Sequence, residues 1–303
     1  MSEVRSHRPV LLLATGLAML GLVGTAGGSP ARGQVVTRTL WSAALGRRER
    51  VVVYLPPGYS GARAARYPLV ILLHGVPGRP EDFVTHGVVA RIDALMAAGR
   101  IPPFVAAMPA GGDRPTDDNE WADSDLRPSE RWETYVARDV VGFLQSHYRV
   151  RRDAAGRAIA GESMGGFGAM NLALHHRNEF GAVASWSGYF NANTPSVHNP
   201  SSPAGRGYSP QHYVSRLRPS LAAWHPAIDF YVGGNDRFAA ENATFDRTLT
   251  ALHVPHGFRI VPGAGHGWAL WTSQLNRELG FLESALAGTP GGQAAPGGGT
   301  AAG

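Results

Sequence analysis

The chain of 303 residues contains no cysteine and no lysine. Without cysteine there are no disulfides, no thiolate nucleophile, no cysteine-type zinc site and no lipid anchor on a cysteine. The absence does not decide the compartment, since exported proteins also do without cysteine. Without lysine, all 28 basic residues are arginine, and the formal net charge is +5. The arginines are scattered and form no basic run, so a nucleic-acid partner is not expected. Internal repeats are missing as well. With 44% hydrophobic and 17% charged residues, the chain has the material for one large domain with a substantial core.

Long apolar runs are also scarce. The run Val10 to Val23 is shorter than the about 20 residues that span a bilayer. Arg5 and Arg8 precede it, and the small residues Gly24-Thr25-Ala26-Gly27-Gly28-Ser29 follow. This order describes a secretory signal peptide, with cleavage expected after Ala26 and an uncleaved anchor as the alternative. Either outcome places the protein outside the cytoplasm, secreted or in the cell envelope. At the other end, residues 288–303 (GTPGGQAAPGGGTAAG) are Gly/Ala/Pro-rich and have no apolar surface to bury, so disorder is expected there. The expected organisation is therefore a signal peptide and short linker over 1–34, a catalytic domain over 35–287 and a disordered tail over 288–303.

Inside the middle segment, strand-like and helix-like stretches alternate. Strands are expected at Arg50–Leu55, Pro68–Leu73, Phe104–Met108, Arg157–Ala160, Ala182–Trp186, Asp229–Val232 and Phe258–Val261. Several are continuous apolar runs, as strands buried on both faces require. Helices are expected at Val88–Ala98, Trp132–Tyr148, Met164–His175 and Trp268–Leu286. The alternation predicts an α/β fold, a mainly parallel sheet with helices on both faces. In such a sheet, functional groups gather in the loops beyond the carboxyl ends of the strands.

The candidates occupy those loops. Gly161-Glu162-Ser163-Met164-Gly165 is a G-x-S-x-G motif. In a chain with 39 glycines the bare pattern is weak. Its placement between a strand and a helix is the context a nucleophile elbow needs. The alternative is a helix N-cap serine in a glycine-rich loop. His266, in Gly263-Ala264-Gly265-His266-Gly267, follows the last strand and suits a general base that works near neutral pH. His253 and His256 come before that strand, on the wrong side of the sheet. Asp236 follows the preceding strand and could orient the histidine. Glu241 is a rival acid, whereas Asp229 starts its strand and belongs at the opposite edge. An oxyanion hole needs two backbone N–H donors. Met164, directly after the serine, is one candidate, and Val76, after Leu72-Leu73-His74-Gly75, is the other. The His74 side chain is expected to be structural or to shape the pocket wall, and not to be catalytic.

Several motifs in order resemble the esterase D and antigen 85 (mycolyltransferase)-like family of serine α/β-hydrolases. They are Tyr54-Leu55-Pro56-Pro57-Gly58-Tyr59, Leu73-His74-Gly75, Met108-Pro109, Arg131-Trp132-Glu133-Thr134-Tyr135, Gly161 to Gly166, Ser187-Gly188 and His266-Gly267-Trp268. The resemblance covers roughly residues 38–285. It implies an α/β-hydrolase fold, Ser163 as nucleophile, His266 as base, Asp236 as acid, and Val76 and Met164 as oxyanion donors. Trp132 and Glu133 match a helix motif with a structural role. At the first loop the mycolyltransferases carry an aspartate where this chain has His74.

The reading that follows is an exported serine esterase that hydrolyses carboxylic esters through an acyl-enzyme. No metal, cofactor or obligatory protein partner is implied. The expected substrate is a small-molecule, polysaccharide-linked or lipid-linked ester. Two alternatives remain at this stage. One is an acyltransferase that moves the acyl group to a sugar alcohol. The other is a non-catalytic surface-binding protein on the same fold. The segment Tyr189 to Pro226 is expected to be a loop that covers the site, and Trp121, Trp224, Trp268 and Trp271 either line a pocket or belong to the core.

Overall fold

A computed structural model describes residues 32–62, 64–192, 194–195, 197–199 and 201–287. The apolar N-terminal run and the Gly/Ala/Pro stretch lie outside these residues, and with them the expectations of export and of a disordered tail. Among the described residues, no helix is long and apolar enough to cross a membrane.

Eight strands form one sheet: β1 (Gln34–Ser42), β2 (Arg47–Leu55), β3 (Leu69–Leu73), β4 (Val105–Pro109), β5 (Arg157–Glu162), β6 (Ala182–Trp186), β7 (Ala227–Gly233) and β8 (Gly257–Val261). Their order across the sheet is β1-β2-β4-β3-β5-β6-β7-β8. The β1–β2 and β2–β4 pairs are antiparallel and all others are parallel. β3 and β5 lie side by side at the centre and are buried along their whole length. Alternate residues of β3 face opposite layers. Leu69, Ile71 and Leu73 pack with the helices over 132–147 and at Met164–His175. Val70 and Leu72 pack with those at Val88–Ala97 and Trp268–Leu286. Period-2 side-chain alternation between two apolar layers is why this strand reads as an unbroken apolar run.

Three local expectations need correction. β1 was not foreseen. It is an edge strand whose residues are mostly exposed, so it lacks the apolar run that marks its neighbours. The helix expected over Trp132–Tyr148 ends at His147 and is interrupted by a wide π-turn, Tyr135–Val140. Inside that turn Asp139 accepts hydrogen bonds from Ser42 Oγ at 2.5 Å and Ala44 N at 3.0 Å, tying the helix to the β1–β2 hairpin. The Tyr189–Pro226 segment is not an irregular loop. It contains short helices at Pro203–Gly207, Pro210–Tyr213 and Arg218–Trp224, with a 3₁₀ turn at Val214–Leu217. These pieces are too short to show a helical period, and two begin at Ser-Pro, which reads as a turn in sequence.

Candidate active site

Ser163 stands between β5 and the helix Met164–His175, with φ 55° and ψ −119°. A non-glycine residue held there is strained by about 1–3 kcal/mol. The surroundings impose the strain. Ser163 N donates to Trp186 O at 2.9 Å, anchoring the turn to the end of β6. Ser163 O accepts from Gly166 N and Phe167 N at 3.0 and 3.1 Å, opening the helix. The glycines on either side are sterically required. A Cβ on Gly165 would lie 1.9 Å from Leu73 O, and one on Gly161 would lie 2.4 Å from Gly165 O. The helix is buried around its whole circumference from Met164 to Leu174, rather than on one face. Its amino end lies directly under the serine, where the helix dipole favours negative charge.

His266 meets the serine from the loop after β8. Its Nε2 is 2.9 Å from Ser163 Oγ, and its Nδ1 is 2.7 Å from Asp236 Oδ2. A carboxylate only accepts, so Nδ1 carries the proton and Nε2 is left to accept from the hydroxyl. Asp236 Oδ1 accepts from Phe238 N at 2.9 Å. Burial works against the Asp236 carboxylate, but the bonds from His266 and Phe238 outweigh it and hold its pKa below the usual aspartate value. It therefore stays ionised at neutral pH and holds the His266 Nδ1–H in place.

The rival carboxylates sit elsewhere. Glu241, in the first turn of the helix Ala239–Ala251, accepts from Phe190 N at 2.5 Å and Asn191 Nδ2 at 2.9 Å. It anchors the chain after β6 instead of reaching His266. Asp229 is bound by Arg259 at 2.8 Å. His256 Nε2 faces Asp246 at 3.0 Å.

The loop after β3 approaches the serine closely. A Cβ on Gly75 would lie 2.9 Å from Ser163 Cβ. Val76 is the next residue. His74 is buried, and burial lowers its pKa. Its Nε2 accepts from Gly111 N at 3.0 Å, which leaves Nδ1 to donate to Gly75 O at 2.8 Å. That carbonyl belongs to the same peptide unit as the Val76 N–H. Trp121 Nε1 donates to His74 O at 3.0 Å. His74 and Trp121 are thus internal supports of the loop, one of the two roles left open for each in the sequence.

Aromatic side chains frame the imidazole. Phe238 and Trp271 meet the His266 ring edge-on at 5.6 and 5.3 Å. Tyr189 stacks on Phe167 at 4.6 Å and leans on Phe238 at 5.0 Å. A cavity of about 500 Å³ lies against His266, lined also by Gly265, Trp268, Leu270 and Ser273. Trp268 stacks on His86 at 4.2 Å. Trp224 is remote from this frame, donating to Phe180 O at 2.8 Å. A slightly larger cavity, about 560 Å³, is lined by charges of both signs, among them Arg47, Asp117, Arg127 and Glu130, and by none of the three site residues. Among the described residues, no group of three or more His, Asp or Glu converges as a metal site requires.

A parallel-centred eight-stranded sheet covered by helices, with its candidate residues in loops at the carboxyl ends of β5, β7 and β8, defines an α/β-hydrolase. The sequence pattern of the Esterase family matches residues 42–282. The chain belongs to that family. It is 33% identical over 147 residues to Esterase Rv1288 of Mycobacterium tuberculosis, an alignment covering 48% of this chain and 30% of that protein. It is 29% identical over 160 residues to an endo-1,4-beta-xylanase/feruloyl esterase of Xylanibacter ruminicola, covering 52% of this chain and 22% of that one. The chain thus spans less than a third of the length of these relatives. A solved ferulic acid esterase superposes with a TM-score of 0.74 at 27% identity, covering 84% of this chain and 99% of that one.

Proposed function

We propose that this protein is a serine carboxylic-ester hydrolase whose catalytic domain is residues 35–287. The observation that carries the reading is the unbroken relay Ser163 Oγ, His266 Nε2, His266 Nδ1, Asp236 Oδ2, with links of 2.9 and 2.7 Å. His266 takes the proton of Ser163 as Oγ attacks the ester carbonyl. The oxyanion rests on the N–H groups of Met164 and Val76. The alcohol leaves with the proton from His266, and a water then repeats the sequence to release the acid. Neither a metal nor a cofactor takes part.

The strained elbow and the helix start beneath it support Ser163 and Met164 in these roles. The Gly75 approach supports Val76. Family membership supports the ester as the substrate class, and the feruloyl esterases among its relatives make a feruloyl ester the first natural type to try. We also place the activity outside the cytoplasm, secreted or in the cell envelope, because Arg5 and Arg8 precede the apolar run Val10 to Val23. Detecting the protein only in the cytosolic fraction of its source cell would sink that placement.

The test is p-nitrophenol release from acetyl through palmitoyl esters, with methyl ferulate alongside and Ser163→Ala as the blank. The expected result is turnover that falls about 10³-fold or more in the variant, since the three residues act as a unit. A rate untouched by the substitution overturns the assignment. Acyl groups recovered on an added sugar, with little free acid, would make the protein a transferase through the same acyl-enzyme.

A further inference from the structure

Glu162 sits beside the nucleophile and has no part in the relay. It is the last residue of β5, and its side chain is buried. Its Oε1 accepts from Gly75 N at 2.5 Å. Its Oε2 occupies the space where a Gly75 side chain would begin, 2.3 Å from an ideal Cβ. The pairing of β3 with β5 ends at Leu73 and Gly161. Beyond that point backbone no longer bonds to backbone. The carboxyl takes over and carries the link on to Gly75. On the other side of the same residue, His74 Nδ1 holds Gly75 O at 2.8 Å. Two consecutive peptide units are therefore clamped, and the second of them carries the Val76 N–H.

We propose that Glu162 is a positioning residue that holds the Gly75–Val76 loop at the distance from Ser163 which an oxyanion donor needs. The inference rests on the esterase reading above and deepens it. Donor placement matters because an oxyanion hole works through fixed donors, and losing one typically costs 10²–10³-fold in kcat.

The surroundings of Glu162 also decide its charge. Burial pushes its pKa well above the usual carboxylate value, the hydrogen bond from Gly75 N works the other way, and the Asp82 carboxylate after β3 adds to the rise. Tyr231 of β7 also faces it, and its own ionisation is opposed by Glu162. His74 is buried with a lowered pKa, and His266 Nε2 bonds the neighbouring Ser163 at 2.9 Å. Burial thus favours the neutral form of Glu162. Its ionisation would put a negative charge one residue from the developing oxyanion and raise the barrier. A glutamine at this position keeps the acceptor for Gly75 N and cannot ionise. A leucine keeps the bulk and loses the acceptor.

The experiment measures kcat and KM for p-nitrophenyl acetate from pH 6 to 10 in the wild type, Glu162→Gln and Glu162→Leu, with the Ser163→Ala rate subtracted. Circular dichroism at each pH monitors folding. Serine-dependent turnover of the wild type is established first, so its absence sinks the esterase reading itself. With turnover in hand, Glu162→Leu is expected to lower kcat about 10²-fold with KM within about twofold. Glu162→Gln is expected to recover most of that loss. The wild-type kcat is expected to fall at the alkaline end, and the fall to be missing in Glu162→Gln. A leucine variant within about threefold of wild type in kcat overturns the inference, and so does an alkaline fall of equal size in the glutamine variant. If Glu162→Leu does not fold, the pH profiles of the wild type and Glu162→Gln decide alone.

Discussion

Asn235 N donates to Ala264 O at 2.9 Å, lacing the loop that carries Asp236 to the loop that carries His266. Gly234 N to Val261 O, 2.8 Å, and Asn235 Nδ2 to Gly263 O, 3.2 Å, complete the seam. The loops fit only because Gly233 has no side chain, since a Cβ there would lie 2.3 Å from Ala264 O. Their shared backbone sets the 2.7 Å contact between Asp236 and His266. The two side chains need no further device to meet.

The seam makes the two acidic candidates separable. Asp236→Asn keeps the shape but removes the charge that orients and stabilises the imidazole, so kcat is expected to drop about 10³–10⁴-fold. Glu241→Gln is expected to change kcat by less than about threefold, because Glu241 binds Phe190 N and Asn191. Steady-state kinetics on both variants, each checked for an unchanged melting curve, tests this. The opposite ranking would transfer the acid role to Glu241.

The elbow should resist the smallest enlargement. Gly165→Ala places a methyl 1.9 Å from Leu73 O, a backbone atom at the sheet centre. The expected cost is about 1–3 kcal/mol or more, read as a lower midpoint in urea. Gly280→Ala is the control, since a Cβ there meets nothing within 4 Å. Equal midpoints for the two variants would mean that the elbow relaxes freely.

A buried charge network predicts how stability depends on pH. Arg259 binds Asp229 at 2.8 Å and also Glu278, which accepts from Trp186 Nε1 at 3.1 Å. Burial, followed by the Asp229 carboxylate, pushes the Glu278 pKa up to about 8. A carboxyl raised in the folded state contributes stability that is full below its ordinary value and is lost as pH rises through about 8. The melting temperature of the wild type should therefore decline between about pH 5 and 8 through this group. Glu278→Gln should flatten that decline. Scanning both proteins by calorimetry across the range checks it, and parallel curves would count against the network.

Glu133 predicts the opposite limb. It accepts from His175 Nδ1 at 3.1 Å and His176 Nε2 at 2.7 Å, joining the helix at Trp132 to the end of the helix Met164–His175. Burial opposes its ionisation, but these two bonds prevail and pull its pKa down to about 2. A carboxyl lowered in the folded state contributes stability present above its ordinary value and lost as pH falls through about 2. Glu133→Gln should be less stable at pH 7 and lose less between pH 4.5 and 2 than the wild type. Acid titration followed by circular dichroism compares them.

Much of the frame was legible in the sequence. β3 and β4 are continuous apolar runs because they are buried on both faces, and that burial needs no knowledge of neighbours to be read. The helix Trp268–Leu286 was legible to the residue, since its apolar face repeats over five turns. Ser163 and His266 stood out because an elbow requires glycines around a serine, and because the last loop of this topology is a short stretch with one histidine. β1 was illegible because an edge strand is exposed and looks like a loop. The short helices after Tyr189 were hidden by prolines and by their length.

Other features were settled only by tertiary structure, because they depend on distance between residues far apart in the chain. Asp236 and Glu241 are five positions apart, and nothing local separates them. The seam between Asn235 and Ala264 brings one to His266 and leaves the other on Phe190. Glu162 reads as a variable position inside a motif, yet it meets Gly75 across 87 residues. The sequence by itself determined the inner strands and the four longest-patterned helices of an α/β fold, and where its loops hold a serine and a histidine, since these follow from local period and from chain order; β1, the short helices after Tyr189 and the helix Ala239–Ala251 escaped it. Only the packed sheet decided which carboxylate faces the histidine and which carboxyl braces the loop at Gly75, since hydrogen bonds are made between atoms about 3 Å apart wherever they lie in the chain.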